Sequence, residues 1–186
     1  MRNNMRILIV NFGVGGFAGD SGQMLLIAKG LQEIEHKVTI VVTDGDPYSF
    51  DKEKSKYYSI IRKKLLDAKG KTVEIDGVTV FPIHCYTSKF GLYCPSASKI
   101  ARKIIKNYDV VYVINWYYHL GMVFAKVAHE CNIPFIISAY GSLQEEARRL
   151  KKNKNGLQIN SIQKMLFLML QVYTLLENQK QKNISN

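Results

Sequence analysis

Three stretches of the chain hold residues whose types and spacing could do chemistry. The first is glycine-rich, Asn11 to Gly22, with Gly13, Gly15, Gly16, Gly19 and Gly22. Glycine takes positive φ without strain and lets backbone come close to a ligand, so such a loop can offer N–H groups to a phosphate or a sugar. The second stretch, Pro82 to Pro95, holds His84, Cys85, Tyr86 and Cys94. The third is Asn115-Trp116-Tyr117-Tyr118-His119. Its aromatic rings can stack on a sugar face, and Asn115 or His119 can hydrogen-bond a hydroxyl. Asn115 cannot act as a base.

Each stretch also has a plainer reading. The glycine loop can simply need positive φ, the rings can pack at a rim, and His119 can cap or pack the helix it opens. Gly13, Gly15 and Ala18 fit the dinucleotide pattern G-x-G-x-x-A, with Asp44 as the ribose-binding acid. That turn needs its helix to begin at the second glycine. The expected cap, Asp20 or Ser21, comes later, which argues against it. No Gly-Lys-Ser/Thr follows, so the loop is not a P-loop. The spacing of His84, Cys85 and Cys94 matches no zinc pattern, and no metal site is expected.

The elements that must position these residues are read from periodicity. Ile7 to Val10 is a continuous apolar run before the glycine loop, the mark of a central parallel strand. Met24, Leu25, Ile27, Ala28, Leu31 and Ile34 form one helical face ending near Glu35-His36-Lys37, and Val38 to Thr43 is a β-branched second strand. Residues 51–71 read as a basic amphipathic helix with a stripe of Tyr58, Ile61, Leu65 and Ala68. Asp76-Gly77 predicts a tight hairpin between 72–75 and 78–81. Ser96 is placed to cap a helix that buries Ile100, Ala101, Ile104 and Ile105. Asp109 to Ile114 is a third core strand. Gly121 to Cys131 is a helix with Val123, Phe124, Val127, Ala128 and Cys131 inward, and Phe135 to Ser138 is a fourth strand. This order predicts an α/β, Rossmann-like three-layer domain with a mainly parallel sheet. Ile162 to Leu176 is apolar but short for a membrane span, and reads as a helix and a short strand near Val172 to Leu175.

The composition, 47% hydrophobic and 22% charged over 186 residues, is that of a folded chain. The net charge of +11 admits an anionic membrane surface or nucleic acid as a partner. No nucleic-acid module or RNP-like pattern is present, so no nucleic-acid partner is expected. Three cysteines without CxxC spacing, and an N-terminal apolar run too short for a signal peptide, point to reduced thiols in a cytoplasm.

Four segments in order resemble family 4 glycosyltransferases. Arg6 to Val10 followed by Gly15-Gly16 and, after a helix, His36-Lys37-Val38-Thr39-Ile40-Val41 looks like the family's opening, with Glu35 where a glycine is usual. Asp76-Gly77-Val78-Thr79-Val80-Phe81 is similar to its D-G-V-x-V segment, and Tyr108 to Val113 to its Y-D-V-V strand. Ile133-Pro134 through Tyr140-Gly141-Ser142-Leu143 resembles its I-P-x-x-x-S-x-H/R-G-S-L, with Tyr140 replacing the basic residue. Asn115 stands where the family often has histidine. Leu175 to Lys180 looks like the junction into the family's second domain.

The resemblance implies the N-terminal, acceptor-binding half of a GT-B fold: a domain over 1–176, with a polar tail over 177–186 where the second domain would begin. It implies a retaining, metal-independent and cofactor-free transfer from a nucleotide-sugar donor to a lipid-linked or polysaccharide acceptor. The substrate-binding residues it suggests are Gly15, Gly16, Asn115, Trp116, His119, Tyr140 and Gly141; no catalytic residue is assigned. The donor clamp would lie on a separate donor-binding half, so this chain alone is expected to be inactive. With the cytoplasmic location expected from the thiols, the family's lipid-linked acceptors and the basic surface together imply a peripheral place at the inner membrane face. The rival expectations are a non-catalytic remnant or binding module of the same fold, and a dinucleotide-binding oxidoreductase domain.

Overall fold

A computed structural model describes residues 4–14, 19–45, 56–88, 91–114 and 118–138. The chain divides into two compact units, Met1–Tyr140 and Gly141–Asn186, and every described residue belongs to the first. The apolar stretch up to Leu176 and the expected boundary at 176–177 lie outside the described residues.

The first unit is an α/β three-layer domain. Its six-stranded sheet has the order β3-β4-β2-β1-β7-β8. The strands are β1 (Arg6–Val10), β2 (Lys37–Thr43), β3 (Val73–Ile75), β4 (Val78–Ile83), β7 (Val110–Ile114) and β8 (Phe135–Ser138). All are parallel except β3, which pairs antiparallel with β4. A small separate hairpin is formed by β5 (Tyr86–Ser88) and β6 (Gly91–Tyr93). The helices are α1 (Gly19–Glu33), α2 (Lys56–Asp67), α3 (Ala97–Ile104) and α4 (His119–Glu130).

Strand alternation sorts the core into two halves. Ile7 and Ile9 of β1, Val38, Ile40 and Val42 of β2, and Val78 and Val80 of β4 share one face with Met24, Leu25 and Ala28 of α1 and Ile61 and Leu65 of α2. The register places Leu8 and Val10 with Val111 and Val113 on the opposite face, and α4 packs against β1, β7 and β8. Phe124, Leu120, Val127 and Ala128 supply its fully buried stripe. Burying each large apolar side chain contributes about 1.5–3 kcal/mol, which is why the two strands richest in buried residues, β1 and β2, settle in the middle.

Several local expectations are met for visible physical reasons. The hairpin turn has positive φ at both Asp76 (50°) and Gly77 (80°), as the twist-matched two-residue turn requires. The α2 stripe of Ile61, Leu65 and Ala68 is buried, while Lys63, Lys64, Lys69 and Lys71 are exposed.

Other expectations need correction. Asp20 and Ser21 lie inside α1, so the helix is already under way before the expected cap. The described start of α1, Gly19, still falls later than the second glycine of that pattern, Gly15. Ser96 is the N-cap of α3 by position but makes no side-chain cap bond, and only Ala97 and Ala101 of α3 are buried. Ile105 is buried in the short 3-10 turn that follows. Cys131 is not a core residue of α4: it is the C-cap and is partly exposed. Strand β4 continues through Pro82, which pairs in register with Val42. β3 reaches only as far as Val80 along β4, so a residue without an N–H is tolerated beyond it.

Candidate functional site

The strand order locates the site. From β1 the chain moves outward through β2 to β4, then crosses back to lay β7 on the other side of β1 and β8 beyond it. The order reverses between β1 and β7. In open parallel sheets, ligands bind outside the carboxyl ends of the strands at such a reversal. The segments after Val10, Ile114 and Ser138 leave the sheet at this one edge, because β1, β7 and β8 are parallel neighbours.

On the β1–β7 side, Asn11 is buried and its backbone N–H donates to the Val41 carbonyl at 3.0 Å, which holds the chain against β2 past the end of β1. Its side-chain oxygen accepts the Phe12 N–H at 2.9 Å and its amide donates to the Gly13 carbonyl at 3.2 Å. The start of the glycine loop is therefore fixed. The Phe12 ring lies 4.3 Å from that of Tyr118, so the segment leaving β1 touches the one leading into α4.

His119 opens α4. Its Nδ1 accepts the Cys94 backbone N–H at 3.3 Å, and the Tyr93 ring lies 4.7 Å from its imidazole. Accepting at Nδ1 puts the proton of the neutral ring on Nε2. Burial lowers the pKa of His119 below the ordinary histidine value, which keeps the ring neutral at physiological pH. A neutral imidazole with a defined Nε2–H can donate a hydrogen bond to an uncharged hydroxyl.

On the β2–β4 side, the Thr43 hydroxyl donates to the Phe12 carbonyl at 2.5 Å. Asp44 follows β2 and fastens it to β4. Its N–H donates to the Ile83 carbonyl, and its carboxylate accepts the Cys85 N–H at 3.0 Å and pairs with His84 Nδ1 at 2.9 Å. This hydrogen bond and charge raise the pKa of His84. Each carboxylate oxygen has a partner within the protein, so Asp44 acts as a clasp between strands. Among the described residues, no group of three or more His, Cys, Asp and Glu side chains could hold a metal ion.

Of the residues expected to bind substrate, the structure describes His119. Gly15, Gly16, Asn115, Trp116, Tyr140 and Gly141 lie outside the described residues. The hairpin β5–β6, with Tyr93 and Cys94 against His119, was missed by sequence reasoning. Its strands are three residues each and their alternation is too brief to register.

No helix among the described residues is long and apolar enough to cross a membrane. Comparison of the sequence with models of protein families gives no match, and comparison with curated proteins gives none either.

Proposed function

We propose that this domain is the acceptor-side half of a family 4, GT-B-type glycosyltransferase, forming one wall of a cleft in which a sugar passes from a nucleotide sugar to a lipid-linked or polysaccharide acceptor. The observation that carries the reading is the reversal of strand order between β1 and β7. It supports a single site to which Gly15-Gly16, Asn115-Trp116, His119 and Tyr140 would all contribute, since each follows or opens an element at that edge.

In this reading Gly15 and Gly16 bring backbone N–H groups to the acceptor and donor phosphate. Trp116 provides an apolar face for a sugar ring. His119 donates from Nε2 to a sugar hydroxyl; its neutrality suits an uncharged partner. Leaving-group stabilisation falls to the donor-binding half, which also closes the cleft against water. The exposed lysines of α2 and of the turn after it favour an anionic membrane, at about 1 kcal/mol for each lysine near the surface.

A transfer assay tests this: radiolabelled nucleotide sugars and membrane extracts, with the domain alone and with a candidate donor-binding half. Transfer is expected only with both halves, and His119→Ala is expected to lower it by about tenfold, the value of one hydrogen bond to substrate. Tight calorimetric binding of NAD or NADP, with no response to nucleotide sugars, would instead identify a dinucleotide-binding domain. Equal sedimentation with neutral and anionic vesicles would remove the electrostatic account of membrane docking.

A further inference from the structure

The ladder of the β5–β6 hairpin pairs Ser88 with Gly91, Thr87 with Leu92 and Tyr86 with Tyr93. One step further out along the same register, Cys85 stands opposite Cys94. Residues directly opposite in an antiparallel pair have Cα atoms about 4.5–5.5 Å apart, inside the range a disulfide spans. Opposite side chains also project to the same face, so the register sets the two thiols side by side. Both thiols are free and buried. A bond between them would join positions that the hairpin register already sets opposite.

We propose that Cys85 and Cys94 form a peroxide-responsive dithiol that closes to a disulfide across the base of the β5–β6 hairpin, with Cys85 attacking and Cys94 resolving. The site stands whether or not the domain takes part in sugar transfer.

The surroundings divide the roles. The Cys85 thiol is lowered to about 7, chiefly because Cys94 donates to its sulfur, and the Gly45 N–H adds to this. Burial and the charge of Asp44 oppose the shift. The Thr43 hydroxyl also faces the sulfur, but its single proton is already given to Phe12. The remaining titratable neighbours are His84, held on Asp44, and the Tyr93–His119 pair beside Cys94. The Cys94 thiol is pushed well up, because its proton is held in the bond to Cys85 and because it is fully buried. Cys85 keeps a little exposure, at 7%, against 0% for Cys94. The less buried residue of the two is thus the one whose thiol loses its proton more readily, the requirement for attack.

The Cys85 thiolate attacks one oxygen of hydrogen peroxide and the O–O bond breaks. The sulfur gives up two electrons, the other oxygen leaves as hydroxide and is protonated to water, and Cys85 becomes a sulfenic acid. The Cys94 sulfur then attacks the Cys85 sulfur. The S–O bond breaks, the S–S bond forms, and hydroxide leaves with the Cys94 proton as a second water. A small-molecule dithiol reverses the reaction by exchange. Because the Cys94 N–H holds His119 and the Cys85 N–H holds Asp44, the bond would fasten the hairpin to both sides of the sheet edge.

The test treats the full chain with hydrogen peroxide after reductant removal. Thiol alkylation, mass spectrometry and a cyclic-dione trap for sulfenic acid then read the products. The wild type and Cys131→Ser should lose two thiols and show one intramolecular 85–94 crosslink. Cys94→Ser should stop at a trapped sulfenic acid on Cys85, and Cys85→Ser should slow reaction at Cys94 by about tenfold or more. The wild-type rate should rise as pH passes through about 7. Oxidation of the wild type first at Cys131, with Cys85 and Cys94 left as thiols, overturns the proposal. So does equal labelling of the two single variants. The wild-type crosslink map depends on no variant folding, and a shift of the His119 ring resonances on oxidation reads the coupling to the site.

Discussion

His84 and His119 stand at the same edge of one sheet and are held in opposite ways. His84 follows β4, lies largely in solvent and leans on the Asp44 carboxylate, which favours its charged form. His119 opens α4, is half-buried against Tyr93 and accepts a backbone N–H, and burial favours its neutral form. The β2–β4 side is therefore fastened by charge in water, while the β1–β7 side is built by packing. A site that recognises uncharged hydroxyls gains from the second arrangement, because a neutral donor with a fixed tautomer loses little on desolvation.

The contrast is most sharply tested where packing carries His119. Leu120 is its neighbour in the first turn of α4 and is 1% exposed. Leu120→Ala is expected to cost about 2–5 kcal/mol in urea unfolding, the range for a buried leucine. A loss below about 1 kcal/mol would show that this side is not held by packing. On the other side the equivalent change is Asp44→Ala. It leaves the Cys85 N–H without its acceptor and should cost about 1–3 kcal/mol. His84 should then titrate closer to the ordinary value of 6.5 by NMR. An unchanged His84 titration would break the assignment of its shift to Asp44.

A similar pairing recurs where the helices feed the two sides. At the end of α1, Glu35 has φ of 72°; its N–H donates to the Gln32 carbonyl and the His36 N–H to the Leu31 carbonyl. At the end of α4, Asn132 has φ of 55°, with the same two bonds to His129 and Ala128. Both are Schellman ends, which favour glycine and tolerate asparagine. Glu35→Gly should therefore stabilise the domain by about 1 kcal/mol in urea, and Asn132→Gly by a few tenths at most.

That position also shows what was legible in the sequence. Glu35 falls where the resembled family has glycine, and the helix end and the strand after it are legible regardless, because Val38 to Thr43 is β-branched throughout and a helical stripe runs through Leu31; Ile34, the last residue expected on that stripe, lies past the end of α1 and is exposed. Period and composition make such elements legible, as for β1, β2, β7 and β8, while β3 and β4 are legible through the Asp76-Gly77 turn between them. Position 85 was harder. His84, Cys85 and Cys94 form a group in the sequence, but their spacing matches no zinc pattern and carries no other local signal. What brings Cys85 to Cys94 is a hairpin register, and two three-residue strands give too few alternations to reveal one. The clasp of Asp44 on His84 joins residues forty positions apart, through a parallel pairing of β2 with β4 that no local signal specifies.

The smallest effect separates the two histidines directly. His84 binds its proton more tightly folded than unfolded, so its contribution to stability is fully present below 6.5 and is lost as pH rises through its raised folded value. His119 binds its proton less tightly when folded. Its contribution is complete above 6.5 and falls away as pH drops toward its lowered value. The two slopes have opposite signs and meet near 6.5. Subtracting the urea stability curve of each variant from that of the wild type cancels the cysteines and other titrating groups. The His84→Ala difference should decline only on the alkaline side, and the His119→Gln difference only on the acid side. Slopes on the same side for both variants would mean that a single electrostatic environment spans the edge, and the division into a solvated clasp and a packed wall would fail.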